Sequence, residues 1–236
     1  LLIGNLFQQL YSMADTFIVG HTLGVDALAA VGCTGGIIGL IIGFAQGLTA
    51  GFTIVISQYF GAKNMDAVRK SFASSITLSA ILTIILTMIS VLFARDLLVL
   101  LQTPADILDD AYQYLIIIFF GMGASMLFNL LSNALRALGD SRTPLYVLVI
   151  ACILNIILDY VLILWCNMGV AGAAVATILA QLFSGLLCIF YIAKKFPVFH
   201  VRREDWRIDW SDWARQLHMG LPMGFQSSII AIGSLS

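Results

Sequence analysis

The stretch Asn155-Ile-Ile-Leu-Asp159 sets an amide and a carboxylate four residues apart inside an apolar run from Leu145 to Trp165. On a helix, that spacing stacks both side chains on one face. The run is long enough to cross a bilayer. An ionised carboxylate near the centre of such a span costs ~2.5–3.5 kcal/mol on insertion scales, so it faces a partner, a bundle interior or a water-filled path. An acid so placed can bind a cation or carry a proton. Asp15 is the other acid at membrane depth, on a helix where Gln8, Tyr11, Ser12 and Asp15 recur at steps of three and four. Two acids among apolar helices are accommodated if they face each other or share a cavity. The helices carrying Asp15 and Asp159 are therefore expected to pack together. A structural hydrogen bond joining two helices is the alternative, and the cost of an ionisable group at this depth weighs against it.

The remainder of the chain must position these two helices. Of 236 residues, 60% are hydrophobic and 11% charged, where a soluble domain carries about 25% charged. With a mean hydropathy of +0.98, the composition is that of an all-α integral membrane protein. A net charge of -1 offers nothing to nucleic acid. Cys33, Cys152, Cys166 and Cys188 show neither metal-ligand spacing nor a disulfide framework, and are read as packing residues. The sequence begins and ends within apolar runs, at Leu1 and Ser236, so a longer polypeptide is expected.

At about 20 apolar residues per crossing, spans are expected over 1–19, 27–59, 67–93, 107–138, 145–165 and 170–194, with a seventh from Trp213. This gives a six-helix bundle over 1–196, a mixed-charge linker over 197–212 and the start of a further helix over 213–236. In the linker region Trp206, Trp210 and Trp213 are spaced to share one helical face at a membrane interface. Lys63, Arg69 and Lys70, then Arg136 and Arg142, then Lys194, Lys195, Arg202, Arg203, Arg207 and Arg215 all fall in alternate connections. The opposite loops hold Arg95 with Asp96, Asp106, Asp109 and Asp110. The positive-inside rule then places the N-terminus in the cytoplasm.

The second span carries Gly35, Gly39, Gly43, Gly47 and Gly51, a four-residue ladder that lets a neighbouring backbone approach closely. Its Gln46, Thr49, Thr53 and Ser57 make another face that could border water. The fourth span carries Ser125, Asn129, Ser132, Asn133 and Arg136, and the sixth carries Thr177, Gln181 and Ser184. Neutral stripes of this kind are chiefly interhelical contacts. His21, His200 and His218 are placed at or beyond helix ends, away from metal or proton chemistry.

Several separate segments resemble the multidrug and toxic compound extrusion (MATE) transporters. They are Met13-Ala14-Asp15-Thr16-Phe17-Ile18-Val19-Gly20 with Leu23-Gly24 and Ala27-Leu28-Ala29-Ala30, then Gly61-Ala62. Leu135-Arg136-Ala137-Leu138-Gly139-Asp140 with Thr143-Pro144 follows, then the pair Asn155 and Asp159, then Gly169-Val170-Ala171-Gly172-Ala173-Ala174 leading to Thr177. Taken together, in order and at the right spacing, they are specific. The resemblance implies the first bundle of a twelve-helix, two-bundle fold, the linker, and the start of the second bundle. In the seventh span, one branch carries an acid some eight positions after the proline matched by Pro222. Here Ile229-Ile230-Ala231 stands in that region, which is similar to the DinF-like branch.

The resemblance further implies an antiporter in the cell (plasma or inner) membrane that expels organic, often cationic or amphipathic, compounds as H+ or Na+ enters. It implies no cofactor beyond that coupling ion and no enzymatic activity. Asp15, Asn155, Asp159 and Thr177 match the family's cation-responsive site, and Gln8 and Tyr114 match positions lining the nearby cavity, beside Tyr11. All four members of the ion site offer hard oxygens to Na+. Partners would be small organic substrates, the bilayer and the C-terminal bundle of the same polypeptide. A lipid-linked saccharide flippase of the wider superfamily and an intramembrane aspartyl enzyme are the alternative readings.

Overall fold

Apolar runs of this length satisfy their backbone groups in lipid only by becoming helices, and the turn residues between them set where each helix stops. The computed structural model describes residues 2–233, with the side chains of 2, 4, 5 and 8 left out. The expectations at Leu1 and Ser236 lie outside the described residues. The helices are α1 (Leu2–Leu23), α2 (Val25–Gly61), α3 (Met65–Leu100), α4 (Ala105–Phe120), α5 (Met122–Ala137), α6 (Arg142–Tyr160), α7 (Val170–Lys195) and α8 (Trp210–Gly233). By length and composition α2, α3, α6 with its extension to Trp165, and α7 can each cross a membrane, and α4 with α5 makes a further bent span. The 22-residue α1 falls outside that group, because Gln9, Ser12 and Asp15 dilute its apolar character.

The expected single helix over 107–138 is two helices that meet at Gly121 with a bend of 47°. A Cβ at Gly121 would overlap the side chain of Ile178 on α7, so the glycine admits α7 at the bend. Helix α6 ends at Tyr160 and continues as one wide π-helical turn over Val161–Trp165, immediately beyond Asp159. Such turns are often found beside functional positions. Local caps fix the ends. Asn64 Oδ1 accepts from the Ala67 N–H at 3.2 Å, and Asp140 Oδ1 accepts from the N–H groups of Arg142 and Thr143 at 3.2 and 3.0 Å.

Helix α2 is the mast of the bundle, touching α1, α3, α4, α5 and α8. On one side Ile18 and Val19 of α1 share a core with Tyr114 and Ile118 of α4, and with Val170, Ala173 and Ala174 of α7. On another, Ile56 of α2, Phe72 of α3 and Leu131, Ala134 and Leu135 of α5 pack with Cys188 and Ile192 of α7. The partner of the glycine ladder is α8. A Cβ at Gly47 would run into the carbonyl of Met223 and lie 2.6 Å from Gly224 Cα, while one at Gly51 would meet the backbone of Gly220. Gly32 and Gly35 have nothing so close.

Between α7 and α8 the chain makes two short 3-10 turns, Pro197–Phe199 and Arg203–Trp206. Phe199 stacks on Phe72 of α3 with ring centroids 4.2 Å apart, and Arg69 Nε donates to Asp205 Oδ2 at 2.7 Å. The three tryptophans do not share a helical face. Trp206 ends the second turn, α8 starts only at Trp210, and Trp213 packs toward Leu48, Phe52 and Leu78 while Trp206 and Trp210 are exposed. His218 lies inside α8 rather than at a helix end. Cys166 is exposed, so among the cysteines it is not a packing residue.

Candidate functional site

The acid pair is assembled by three helices whose small residues let them close up. Ala173, Ala174 and Ala176 on α7 are fully buried, so α7 approaches α6 closely. Helix α1 packs on α6, as two intramembrane acids require. Asp15 retains 7% of its exposure, Asn155 1% and Asp159 none. The Asp15 and Asp159 carboxyl groups lie within electrostatic reach of one another.

Asn155 Nδ2 donates to Thr177 Oγ1 at 3.5 Å, a long hydrogen bond, and Thr177 Oγ1 donates to the Ala173 carbonyl at 3.1 Å. The threonine hydroxyl proton is thus committed to its own helix, and a lone pair is left for another ligand. Asp15 Oδ1, Asn155 Oδ1, both Asp159 oxygens and the Tyr11 hydroxyl are buried and receive no well-formed hydrogen bond from an N–H or O–H donor, the two carboxyl groups lying against each other. Buried polar atoms are nearly always satisfied, so a cluster of unsatisfied oxygens calls for an ion, a proton or water. Two carboxyl groups, an amide carbonyl and a hydroxyl form a hard-oxygen set of the kind small hard cations take.

Beside this cluster lies a cavity of about 1080 Å³, walled by α1, α2, α4, α5, α7, Leu148 of α6 and the far end of α8. Tyr11, Asp15, Tyr114 and Thr177 all line it. Asn155 and Asp159 do not, being buried behind that wall. Gln8 lies on α1, and its side chain is outside the described residues. The lining is mixed, with Val31, Ile38, Ile42 and Phe128 among its apolar members and Gln46, Ser125, Asn129, Gln181 and Ser227 among its polar ones. Among the described residues, no Lys or Arg lines it.

Two sequence readings change here. Gln46 does border the cavity, but Thr49 and Thr53 on the same face are buried and donate to the carbonyls of Gln46 and Ala50. Asn133 of α5 donates to Thr49 Oγ1 at 3.4 Å, an interhelical joint. Gln181, grouped with packing residues, lines the cavity and leaves its buried Oε1 unpartnered. The signal was its four-residue step from Thr177, which sets both on one face of α7.

A helical membrane bundle that holds two acids buried beside a polar-apolar cavity has the make-up of a transporter lobe. The chain belongs to the MatE family, whose model matches residues 1–161. Over its whole length it is 30% identical to the "Probable multidrug resistance protein YoeA" of Bacillus subtilis (strain 168), covering 52% of that relative. The outward-facing conformation of a multidrug resistance MATE family transporter of the MOP superfamily matches with a TM-score of 0.89. Its identity is 26%, over 99% of this chain and 52% of that one. The inward-facing conformation of a transporter described in the same words matches at 0.86, with 27% identity over 95% of this chain and 52% of that one. The chain spans about half the length of the curated relatives it matches.

Proposed function

We propose that the full-length protein is a cation-coupled antiporter that exports organic, often cationic or amphipathic, compounds by alternating access. Asp15, Asn155, Asp159 and Thr177 form its ion-coupling site, for H+ or Na+. The observation that carries this reading is the group of unpartnered oxygens, contributed by Asp15, Asn155 and Asp159, buried beside the cavity. A proton or Na+ arriving there cancels one negative charge of the pair, weakens the attraction for a cationic substrate in the cavity and favours release outside. Loss of the ion to the cell interior resets it. Titration belongs to the pair and not to either residue alone.

In this reading residues 1–196 are the first bundle, 197–212 the linker and 213–236 the start of the second bundle, which the same polypeptide supplies. The basic connections face the cytoplasm of a plasma or inner membrane, with the N-terminus inside. Tyr11 and Tyr114, with Gln8, contact substrate. The absence of Lys and Arg from the cavity lining among the described residues disfavours a flippase for anionic headgroups.

The test is efflux of a fluorescent organic cation by the full-length protein, with Na+ and pH gradients varied separately. Asp15→Asn and Asp159→Asn should each abolish ion-driven efflux. Coupled efflux at the parental rate in both variants would overturn the assignment.

A further inference from the structure

The cavity closes along α8 in a graded way. Ser227, Ile230 and Ala231 line it. One turn back, toward the start of α8, the two backbones meet at the glycines. Gly224 and Gly220 of α8 lie against Gly47 and Gly51 of α2, and the Phe44 and Phe52 rings cover the crossing, each within 3 Å of where a Cβ would stand on the α8 glycines. Beyond it a polar cluster lies beside the apolar packing of Trp213 and Leu217 on Leu48, Phe52 and Leu78. Gln216 is fully buried. Its Nε2 donates to the Ser71 carbonyl at 2.8 Å, to Ser71 Oγ at 2.9 Å and to Asp212 Oδ2 at 3.1 Å. Its Oε1 accepts from Ser75 Oγ at 3.1 Å. Arg215, on the neighbouring position, donates to the Tyr59 hydroxyl and lies over its ring, 5.5 Å from the centroid.

These contacts differ in what it costs to break them. A crossing made of glycine backbones has few interlocked side chains, so two helices can change angle there while staying in touch. A cluster of amide, hydroxyl and carboxylate groups gives up its bonds to water at a modest net cost per bond, a hold that can be released, whereas an apolar contact such as that of Trp213 and Leu217 must expose its surface. The polar cluster lies at the end of the bundle that carries Lys63, Arg69, Lys70 and Arg215.

We propose that the α2–α8 glycine crossing is a fulcrum, and that Gln216 with Ser71 and Ser75 is the lock that holds the basic end of the bundle shut. This rests on the alternating-access reading above. Opening toward the basic end pulls Gln216 off α3 and wets both sides of the cluster. Closing re-forms it, with Arg215 returning to Tyr59.

The test uses the full-length protein with Cys33, Cys152, Cys166 and Cys188 replaced, carrying Ser75→Cys and Gln216→Cys. A short thiol-specific bifunctional reagent with a reducible spacer joins α3 to α8. Efflux by the untreated pair, slowed by loss of the amide lock, is the reference rate; it should fall to background once the pair is joined and return to that rate when the spacer is reduced. Efflux that continues at the untreated rate in the joined protein would show that this seam never opens, and the lock would be refuted. If that pair compromises folding, Tyr59→Cys with Arg215→Cys joins α2 to α8 at the same basic end, with the same two outcomes. Absence of efflux from the full-length protein with none of these substitutions would strike at the transport reading instead, so the two failures are separable.

Discussion

Gly47→Ala is the sharpest test of how α8 is seated. The added methyl would stand 2.6 Å from Gly224 Cα and closer still to the Met223 carbonyl, about 1 Å inside ordinary carbon contact. Both obstacles are backbone, so no rotamer change relieves them, and the helices must move apart. Overpacking of this kind costs about 1–3 kcal/mol. Gly35→Ala, three turns earlier on the same ladder, meets nothing within 4 Å. There the alanine should stabilise by ~0.5–1 kcal/mol, since a mid-helix glycine is the weaker residue. The two substitutions are chemically identical and share that helix gain, so they should differ by the overpacking cost alone, about 1–3 kcal/mol. Thermal unfolding of the full-length protein in detergent measures it: the midpoint should fall for Gly47→Ala and hold or rise for Gly35→Ala. Equal midpoints would refute the close crossing.

Two further outcomes follow from the fold. Gly121→Ala should lower the unfolding midpoint by crowding Ile178, and Ile178→Ala should recover much of that loss when combined with it, a coupling read by a double-mutant cycle. Burial of Asp205 opposes its ionisation, but the Arg202 N–H and the Arg69 guanidinium outweigh it and hold the carboxyl below its usual range. A folded-state value below the unfolded one adds stability that is fully present above the unfolded value of ~3.9 and is lost as pH falls through the folded one. The midpoint gap between the parent and Asp205→Asn should therefore be widest near neutral pH and close below about pH 4.

The pairing of Asp15 with Asp159 was legible because an acid in lipid leaves so few options. One charged group per helix, read with the four-residue step, is enough to orient α1 and α6. The break at Gly121 was not legible. Phe119-Phe120-Gly121-Met122-Gly123 is an unbroken apolar stretch, and the side chain seated against the bend is Ile178, some 57 positions along the chain and invisible to hydropathy. The glycine ladder announced close approach but not by whom, since a four-residue repeat drifts around the axis and faces several neighbours. Gln181 was obscured for another reason. An amide on a helix stripe reads the same whether it meets a neighbouring helix or open space, and only the shape of the cavity decides. The tryptophans misled because a spacing of four and three signifies a shared face only where the helix is continuous, and here it begins at Trp210.

The glycine groove of α2 also bears on how the molecule is made. The chain is synthesised from its N-terminus, so α2 is complete some 160 residues before the glycines of α8 emerge. Until then Gly43, Gly47 and Gly51 present a shallow trough that only lipid tails or a passing helix can fill. The salt bridge from Arg69 to Asp205 and the stacking of Phe199 on Phe72 hold the connection against α3 just before α8 begins. The chain therefore enters α8 already beside the trough that this helix fills, a surface made wholly by residues that precede it.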